Sequence, residues 1–258
     1  MDLVYYTIGF NPKYLDLLYL SILSLRKYYS QDLLVICDES IVTACSEKLK
    51  EFSNIMISPC EDSISAMDSS MKKLLIFDYD IEKYEKILFI DSDILVDTDV
   101  NNFFEKFVED NTLYAFPEHR EFEHHDRLCH SLMNYTYEQI QFFIINRIYV
   151  FNCGLFAFLN TETMKQHFQN IRDMIKKHEG EYYYEQSFMN VYFNTRNLVN
   201  TLVFNEKNCL MNIDLSKVNP NLSWMKISFK NRFVHFSYSR GSEKKLYDML
   251  WWKSKFGI

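Results

Sequence analysis

Short apolar runs alternate along the chain with longer segments of helical periodicity. The runs rich in β-branched and aromatic residues predict strands at Leu3–Phe10, Asp32–Cys37, Asn54–Ser58, Lys86–Asp91, Thr112–Phe116, Tyr149–Leu159 and Arg232–Phe236. Between the first two strands, leucine and isoleucine recur at helical spacing after Pro12, which predicts a first βαβ unit. This alternation is typical of an α/β protein with a mixed, mostly parallel central sheet.

Further helices are predicted from the same periodicity, at Ile41–Phe52, Ser65–Tyr79, Val100–Glu109, Thr161–Lys177, Tyr184–Asn194 and Glu243–Trp252. The 258 residues include only 5 glycines and 4 prolines, and no linker-like or low-complexity tract interrupts the pattern. We therefore expect one folded domain over residues 1–258.

The charge balance and the cysteines narrow the class of protein. A net charge of −7 argues against a nucleic-acid-binding protein, because no basic stripe is available to replace phosphate counterions. An anionic substrate would need a local cation, such as a bound metal. The six cysteines form no Cys-x-x-Cys pair, which favours a reducing compartment. With no membrane-length apolar run and no basic signal-peptide start, we expect a soluble cytoplasmic protein.

The segment Lys86–Val96, KILFIDSDILV, carries the first candidate chemistry, because a buried-strand pattern leads directly into two aspartates. Asp91 and Asp93 can both reach one hard cation from a compact turn, and their oxygens suit Mg²⁺ or Mn²⁺. Two alternatives stand beside this interpretation. The aspartates could cap the following turn, or the segment could be the first motif of a haloacid-dehalogenase-like phosphatase, although Leu95 stands where that family has threonine.

A charged, histidine-rich segment, PEHREFEHHDRLCHSLMNY, separates two of the predicted strands. Its spacing matches no zinc motif, so we expect a lid or an acceptor-binding loop, with a second metal site as the alternative. At the C-terminal end, KLYDMLWWKSKFGI predicts an amphipathic helix. We expect this helix to pack on the domain, with homodimer formation and contact with the acceptor as the alternatives.

Five blocks in succession resemble the glycogenin-like family 8 of retaining glycosyltransferases, and the likeness spans most of the chain. They are YYTIGFNPKY, KILFIDSDILV, FNCGLFAFLN, YYYEQSFMNVYFN and RFVHFSYSRGSEKK. The resemblance implies a GT-A fold, which is a Rossmann-like nucleotide-binding fold. It also implies binding of a nucleotide-sugar donor and of a divalent cation.

By position, the resemblance assigns the nucleoside part of the donor to the opening block, at Thr7, Ile8, Asn11 and Tyr14. The metal ligands would be Asp91, Asp93 and His235. A nitrogen ligand fits Mn²⁺ better than Mg²⁺, so Mn²⁺ is the expected ion and Mg²⁺ the alternative.

The remaining blocks supply the residues that would contact the donor's sugar and phosphates and those at the reacting face. Donor-contacting residues would be Ser92, Asn152, Gly154, either Lys72 or Lys73 (Lys73 being the candidate), and one of Arg240, Lys244 and Lys245 (Arg240 being the candidate). Glu185 and Gln186 would lie at the reacting face as the catalytic pair. Glu185 replaces the family's usual aspartate, and the final loop departs from the family's lysine spacing.

The function implied is transfer of a hexose from a UDP-sugar, UDP-glucose first and UDP-galactose second, to a glycan, to a protein or to the chain itself. The alternative is a GT-A-like module that binds a nucleotide-sugar or glycan without turnover. The presence of Asp91, Asp93 and His235 together favours the enzyme, because a binding module has less need of a complete metal triad. Retention of anomeric configuration is implied by the family alone.

Overall fold

The computed structural model describes residues 1–117, 136–146, 148, 150–177, 185–210, 232–237 and 241–257. The histidine-rich segment at 118–135 and Arg240 lie outside the described residues, as do the hypotheses made for them. Among the residues described, no helix combines the length and apolar character needed to cross a membrane.

The strands of the described residues form two sheets. They are β1 (Asp2–Ile8), β2 (Leu33–Asp38), β3 (Ile55–Cys60), β4 (Lys86–Ile90), β5 (Ile94–Val96), β6 (Leu113–Pro117), β7 (Phe151–Leu159), β8 (Val199–Asn200), β9 (Cys209–Leu210) and β10 (Phe233–His235). The large sheet has the order β3-β2-β1-β4-β7-β6-β8. Only β7 runs antiparallel to its neighbours, so the sheet is mixed and mostly parallel, as expected.

The helices lie between strands in the sequence, except for the last helix, which follows the final strand. They are α1 (Tyr14–Leu25), α2 (Val42–Leu49), α3 (Ala66–Met71), α4 (Asn101–Phe104), α5 (Tyr137–Ile145), α6 (Glu162–Lys176), α7 (Glu185–Asn194) and α8 (Ser242–Phe256), with 3₁₀ turns at Glu39–Ile41 and Lys72–Asp78.

Both faces of the large sheet are buried. Successive strand residues point to opposite sides of the sheet, so each face packs against its own layer of helices. On one face, Tyr6 of β1 shares a buried cluster with Leu18 of α1. On the other, Tyr5 shares a cluster with Phe168 of α6 and Phe188 of α7. These two layers of helices make the α/β architecture that the alternating pattern predicts.

The small sheet, in the order β5-β10-β9, brings a late part of the chain beside the end of β4. His235 pairs with Ile94, and the backbone N–H of Phe236 donates to the carbonyl of Asp93 at 3.1 Å. Trp252 of α8 is fully buried in the cluster that covers this sheet. The small sheet thus fixes His235 next to the aspartates that follow β4.

The predicted strands are confirmed within about two residues, but four helix predictions need correction. The helix predicted at Ile41–Phe52 ends at Leu49, and the helix predicted at Glu243–Trp252 continues to Phe256. The helix predicted at Val100–Glu109 ends at Phe104, because the backbone N–H groups of Val108 and Glu109 donate to the hydroxyl of Tyr114. The helix predicted at Ser65–Tyr79 divides into α3 and a 3₁₀ segment. The short strands β5, β8 and β9 and the helix α5 had no prediction.

Candidate active site

The carboxyl ends of β1 and β4 open onto a cleft of about 670 Å³. Open α/β sheets usually bind ligands at this edge, and the volume suits a small-molecule ligand. The predicted site residues that line the cleft are Thr7, Ile8, Asn11, Tyr14, Lys73, Asp91, Ser92, Asp93, Glu185 and Gln186.

The three predicted metal ligands lie together beside this cleft. One ligand atom from each of Asp91, Asp93 and His235 lies within 4.8 Å of the others. Nε2 of His235 is 3.1 Å from Oδ1 of Asp93 and 4.0 Å from Oδ2 of Asp91. Two carboxylate oxygens and one imidazole nitrogen are a ligand set that suits Mn²⁺.

Gly154 of β7 has no side chain, and this leaves room for His235 and Asp91 to lie close together. A β-carbon added there would lie 2.5 Å from Cε1 of His235 and 2.9 Å from Oδ2 of Asp91. The Gly154 carbonyl accepts from the backbone N–H of Asp91 at 2.8 Å, and the Gly154 N–H donates to Oδ1 of Asn152 at 2.7 Å. The close approach of backbone to side chains explains why glycine is required at this point of the strand.

The two aspartates differ in their electrostatic surroundings. Burial is the main reason that the pKa of Asp91 is raised above its usual 3.8, and the neighbouring Asp93 adds to it. Burial would also raise the pKa of Asp93, but His235 and Lys245 outweigh it and hold this pKa well below its usual range. Asp93 is therefore a carboxylate throughout the physiological pH range, ready to bind a cation.

Lys73 lies between Asp91 and Glu185, one of the two predicted catalytic residues. Its ammonium group lies 2.6 Å from Oε1 of Glu185 and 3.5 Å from Oδ1 of Asp91, and it donates to the carbonyl of Cys153 at 3.1 Å. Burial would lower the pKa of Lys73, but the carboxylates of Asp91 and Glu185 raise it, so the side chain stays charged. The other carboxylate oxygen of Glu185, Oε2, is buried and has no hydrogen-bond partner among the described residues. It can accept a hydrogen bond from a ligand hydroxyl.

Two amide side chains join α7 to β7 and so fix the position of Glu185 and Gln186. Asn190 accepts from the N–H of Phe151 at 2.8 Å and donates to its carbonyl at 2.9 Å. Oε1 of Gln186 accepts from the N–H of Cys153 at 3.1 Å. The side chain of Gln186 therefore lies against the strand segment that carries Asn152 and Gly154.

Lys245 is the described basic residue of the final block that reaches the metal ligands. Its ammonium group pairs with Oδ2 of Asp93, and it lines the cleft. Lys244 pairs with Asp248 instead. Between the two described lysines of this block, the structure brings Lys245 to the site.

Asp38, Lys72 and Phe10 were not singled out by the sequence analysis as members of one cluster. Asp38 is buried at the end of β2, pairs with Lys72, and accepts from the backbone N–H of Phe10 at 2.7 Å. Phe10 lines the cleft. An aspartate ending a fully apolar strand was the available signal, and its partners are distant in sequence.

Comparisons with known proteins agree with this architecture. Over almost its whole length the chain is similar in structure to the galactosyltransferase LgtC, solved with donor and acceptor sugar analogs, at 15% identity and a TM-score of 0.63, covering 99% of this chain and 100% of that one. It is also similar to mouse xyloside xylosyltransferase 1, at 12% identity and a TM-score of 0.55, covering 91% and 97% of the two chains.

A third similar structure is the glycosyltransferase GlyE of Streptococcus pneumoniae, at 16% identity and a TM-score of 0.54, covering 98% of this chain and 63% of that one. At these identities the structural likeness supports the fold alone, which is the GT-A fold expected from the sequence. A comparison with curated proteins gave no significant match.

The sequence itself matches the family profile described as Glycosyl transferase family 8 over residues 8–239. This range includes the opening block from Ile8 onward, the aspartate pair, the glycine strand, the Glu-Gln helix and His235. The chain is therefore a member of glycosyltransferase family 8.

Proposed function

We propose that this glycosyltransferase transfers a hexose from a UDP-sugar to a glycan, to a protein or to itself, with retention of anomeric configuration, and acts as one GT-A domain over residues 1–258. The observation that carries the proposal is that Asp91, Asp93 and His235 cluster beside the cleft. The same cleft is lined by Lys73, Glu185 and Lys245. A divalent cation held by the first three residues, Mn²⁺ in our proposal and Mg²⁺ as the alternative, would supply positive charge for the diphosphate leaving group.

Each group of residues has a proposed task. Thr7, Ile8, Asn11 and Tyr14 contact the nucleoside, while Ser92, Asn152 and Gly154 lie along the phosphates and sugar. Lys245 binds the diphosphate, because its side chain lines the cleft and stays protonated. Burial would lower the pKa of Lys245, but the neighbouring carboxylate of Asp93 raises it. Arg240, the candidate named from the sequence, stays a prediction, because it lies outside the described residues.

Glu185 and Gln186 act on the sugar at the reacting face. The buried ion pair with Lys73 orients the carboxylate of Glu185, and its Oε2 accepts a hydrogen bond from a sugar hydroxyl. This arrangement favours a positioning role for Glu185 over a nucleophilic one, because an ammonium group at 2.6 Å stabilises the carboxylate and reduces its nucleophilicity. The bond from the anomeric carbon to the diphosphate breaks and its electron pair leaves with UDP. The acceptor's hydroxyl oxygen forms the new bond to the anomeric carbon, and a diphosphate oxygen takes the proton of that hydroxyl.

UDP-glucose is the proposed donor and UDP-galactose the alternative. The names of the similar structures include a galactosyltransferase and a xylosyltransferase, so a panel of donors is needed. Release of UDP is measured for each UDP-sugar with Mn²⁺, with EDTA and with Asp93→Ala, together with the intact mass of the protein.

Release that needs metal and disappears in Asp93→Ala supports the proposal, and a mass increase of one hexose identifies self-glycosylation. Nucleotide-sugar binding without turnover for any donor, metal or acceptor pool would favour the non-catalytic module instead.

A further inference from the structure

Asp93 has a different partner on each of its carboxylate oxygens. Oδ1 lies 3.1 Å from Nε2 of His235, another of the three proposed metal ligands, and Oδ2 pairs with the ammonium group of Lys245. Both members of this ion pair are largely buried, since only 6% of the Asp93 side chain and 15% of the Lys245 side chain are exposed. Lys245 therefore places a positive charge directly on a carboxylate that we propose also binds a divalent cation.

The backbone is fixed on both sides of this ion pair. The carbonyl of Asp93 accepts from the backbone N–H of Phe236 at 3.1 Å. Lys245 lies in the first turn of α8, and this helix is anchored by the fully buried side chains of Met249 and Trp252. The ammonium group, in contrast, is carried on a flexible four-carbon stem. It can therefore leave Asp93 by rotation of its own side chain, without movement of the helix.

The cleft gives the ammonium group of Lys245 a second place to bind. It lies 5.8 Å from the ring centre of Tyr14, and both residues line the cleft. Tyr14 belongs to the set proposed for the nucleoside, so the lysine lies between that set and the proposed metal ligands. The diphosphate of a nucleotide-sugar follows directly after the nucleoside and would pass within reach of this lysine.

The charges along the cleft show why Lys245 and a divalent ion oppose each other at Asp93. The charged side chains that line the cleft, among the described residues, are Asp91, Asp93, Glu185, Lys73 and Lys245, with a formal sum of −1. A divalent ion alone makes this sum positive, and like charges repel more strongly in a buried site than in water. The negative charge of a nucleoside diphosphate reverses the change and attracts the ammonium group of Lys245.

We propose that Lys245 competes with the divalent ion for Asp93 and is released from it by the diphosphate, so that this lysine makes metal and nucleotide binding cooperative. Lys245 then opposes binding of the ion alone and favours binding of the ion together with the nucleotide. The inference rests on the proposed function, because it requires a metal and a diphosphate at one site. It adds to that function a coupling between the two binding steps.

The test measures the dissociation constant of Mn²⁺ by electron paramagnetic resonance, without UDP and with saturating UDP, and that of UDP in EDTA by calorimetry. In Lys245→Met, Mn²⁺ alone should bind about 5- to 150-fold more tightly than in the wild type, the range of a typical coupling between sites. UDP in EDTA should bind more weakly, because the diphosphate loses its ammonium partner. The factor by which UDP tightens Mn²⁺ binding should fall, because the ion no longer needs the diphosphate to remove a competitor.

Two further variants control for the loss of charge and for stability. Lys244→Met removes the same charge one residue earlier in α8, from the pair with Asp248, and should leave all three dissociation constants unchanged. Lys245→Gln keeps a side chain that can donate to Asp93 but removes the charge, so it should change the constants in the same directions as Lys245→Met. It also replaces that variant if the unfolding midpoint of Lys245→Met lies below the assay temperature.

The opposite directions of the two effects separate coupling from a structural role, since damage to the site would weaken Mn²⁺ and UDP binding together. Equal or weaker Mn²⁺ binding in Lys245→Met and Lys245→Gln would overturn the coupling role, while metal-dependent UDP release by the wild type would leave the proposed function intact. A wild type whose Mn²⁺ binding is unaffected both by UDP and by Asp93→Ala would contradict the proposed function as well.

Discussion

The α-carbon of Gly154 stands so close to His235 that a β-carbon between them would be 2.5 Å from Cε1 of the imidazole ring. The same added atom would press on Asp91. Gly154 therefore determines how closely the histidine and the aspartate can share one ion, although glycine supplies no ligand atom of its own.

The first prediction concerns Gly154→Ala. We expect displacement of His235 and Asp91, weaker Mn²⁺ binding, and about a 100-fold loss of transferase activity, because misplacement by about 1 Å is enough for such a loss. Mn²⁺ affinity is measured by electron paramagnetic resonance and activity by UDP release. Gly257→Ala is the control, since, unlike at Gly154, a β-carbon added at Gly257 meets no atom of the described residues within 4 Å, although its φ is +75°. It should cost about 1 kcal/mol of stability and leave activity intact.

The second prediction concerns the buried pair of Lys73 and Glu185. Lys73→Met leaves Glu185 buried beside Asp91 without its counter-charge, so we expect a loss of about 3–5 kcal/mol in the free energy of unfolding. Lys83→Met breaks the exposed pair with Asp32 and should cost about 1 kcal/mol or less. Urea unfolding at neutral pH measures both. Equal losses in the two variants would show that the buried pair contributes no more than the exposed one.

The third prediction concerns acid stability. Burial would raise the pKa of Asp38, but the contact with Lys72 and the backbone N–H of Phe10 lower it below its ordinary 3.8. The ionised side chain therefore stabilises the fold above about pH 3.8, and this contribution is lost as the pH falls through the lowered pKa.

Asp38→Asn removes this titration. The difference in unfolding free energy between the wild type and Asp38→Asn should be largest near neutral pH and shrink below about pH 4, as followed by urea titrations at several pH values. A difference that stays constant through this range would contradict the assignment.

The fourth prediction concerns Asp91, whose pKa is raised mainly by burial. A raised carboxyl pKa means that the ionised side chain destabilises the folded protein at neutral pH. Asp91→Asn should therefore raise the unfolding midpoint in EDTA. In the wild type, Mn²⁺ at 100 times its dissociation constant should add about 2.7 kcal/mol of stability, and Asp91→Asn should lose this gain.

Differential scanning fluorimetry with and without Mn²⁺ checks both parts. Ser70→Ala, at a cleft residue with no proposed contact to the ion, serves as the control and should keep the Mn²⁺ effect. A lower midpoint for Asp91→Asn in EDTA would show that the carboxylate is net stabilising without metal.

Six of the seven strands of the large sheet were predictable because they are apolar runs of five to nine residues, whereas β8 has only two residues. The aspartate pair was visible because it follows one of these runs. His235 was reachable only through family resemblance, since a histidine on a short strand carries no signal by itself. The structure then adds what periodicity cannot: β5 has three residues, too few for a pattern, and is a strand because it pairs with β10.

Pairings between distant residues account for most of what sequence reasoning missed. The contact of Lys73 with Glu185 joins the 3₁₀ segment to α7. The sequence of neither segment predicts that it will contact the other. The choice of Lys245 over Lys244 depends on which face of α8 turns to the cleft. Asp38 looked like an ordinary strand end, and its importance appears only with Phe10 and Lys72 beside it.

The pairing of β7 with β4 has a consequence for folding, because the two strands are far apart in the sequence. The paired residues of the two strands include Leu155 and Ile90, and Gly154 reaches Asp91 only after this pairing forms. Pairings of large sequence separation are slow to form, because the entropy of closing the loop is lost before the contacts are gained. Nucleotide affinity should therefore appear late in refolding, after most helical signal has returned, so a fluorescent nucleotide would report completion of the sheet.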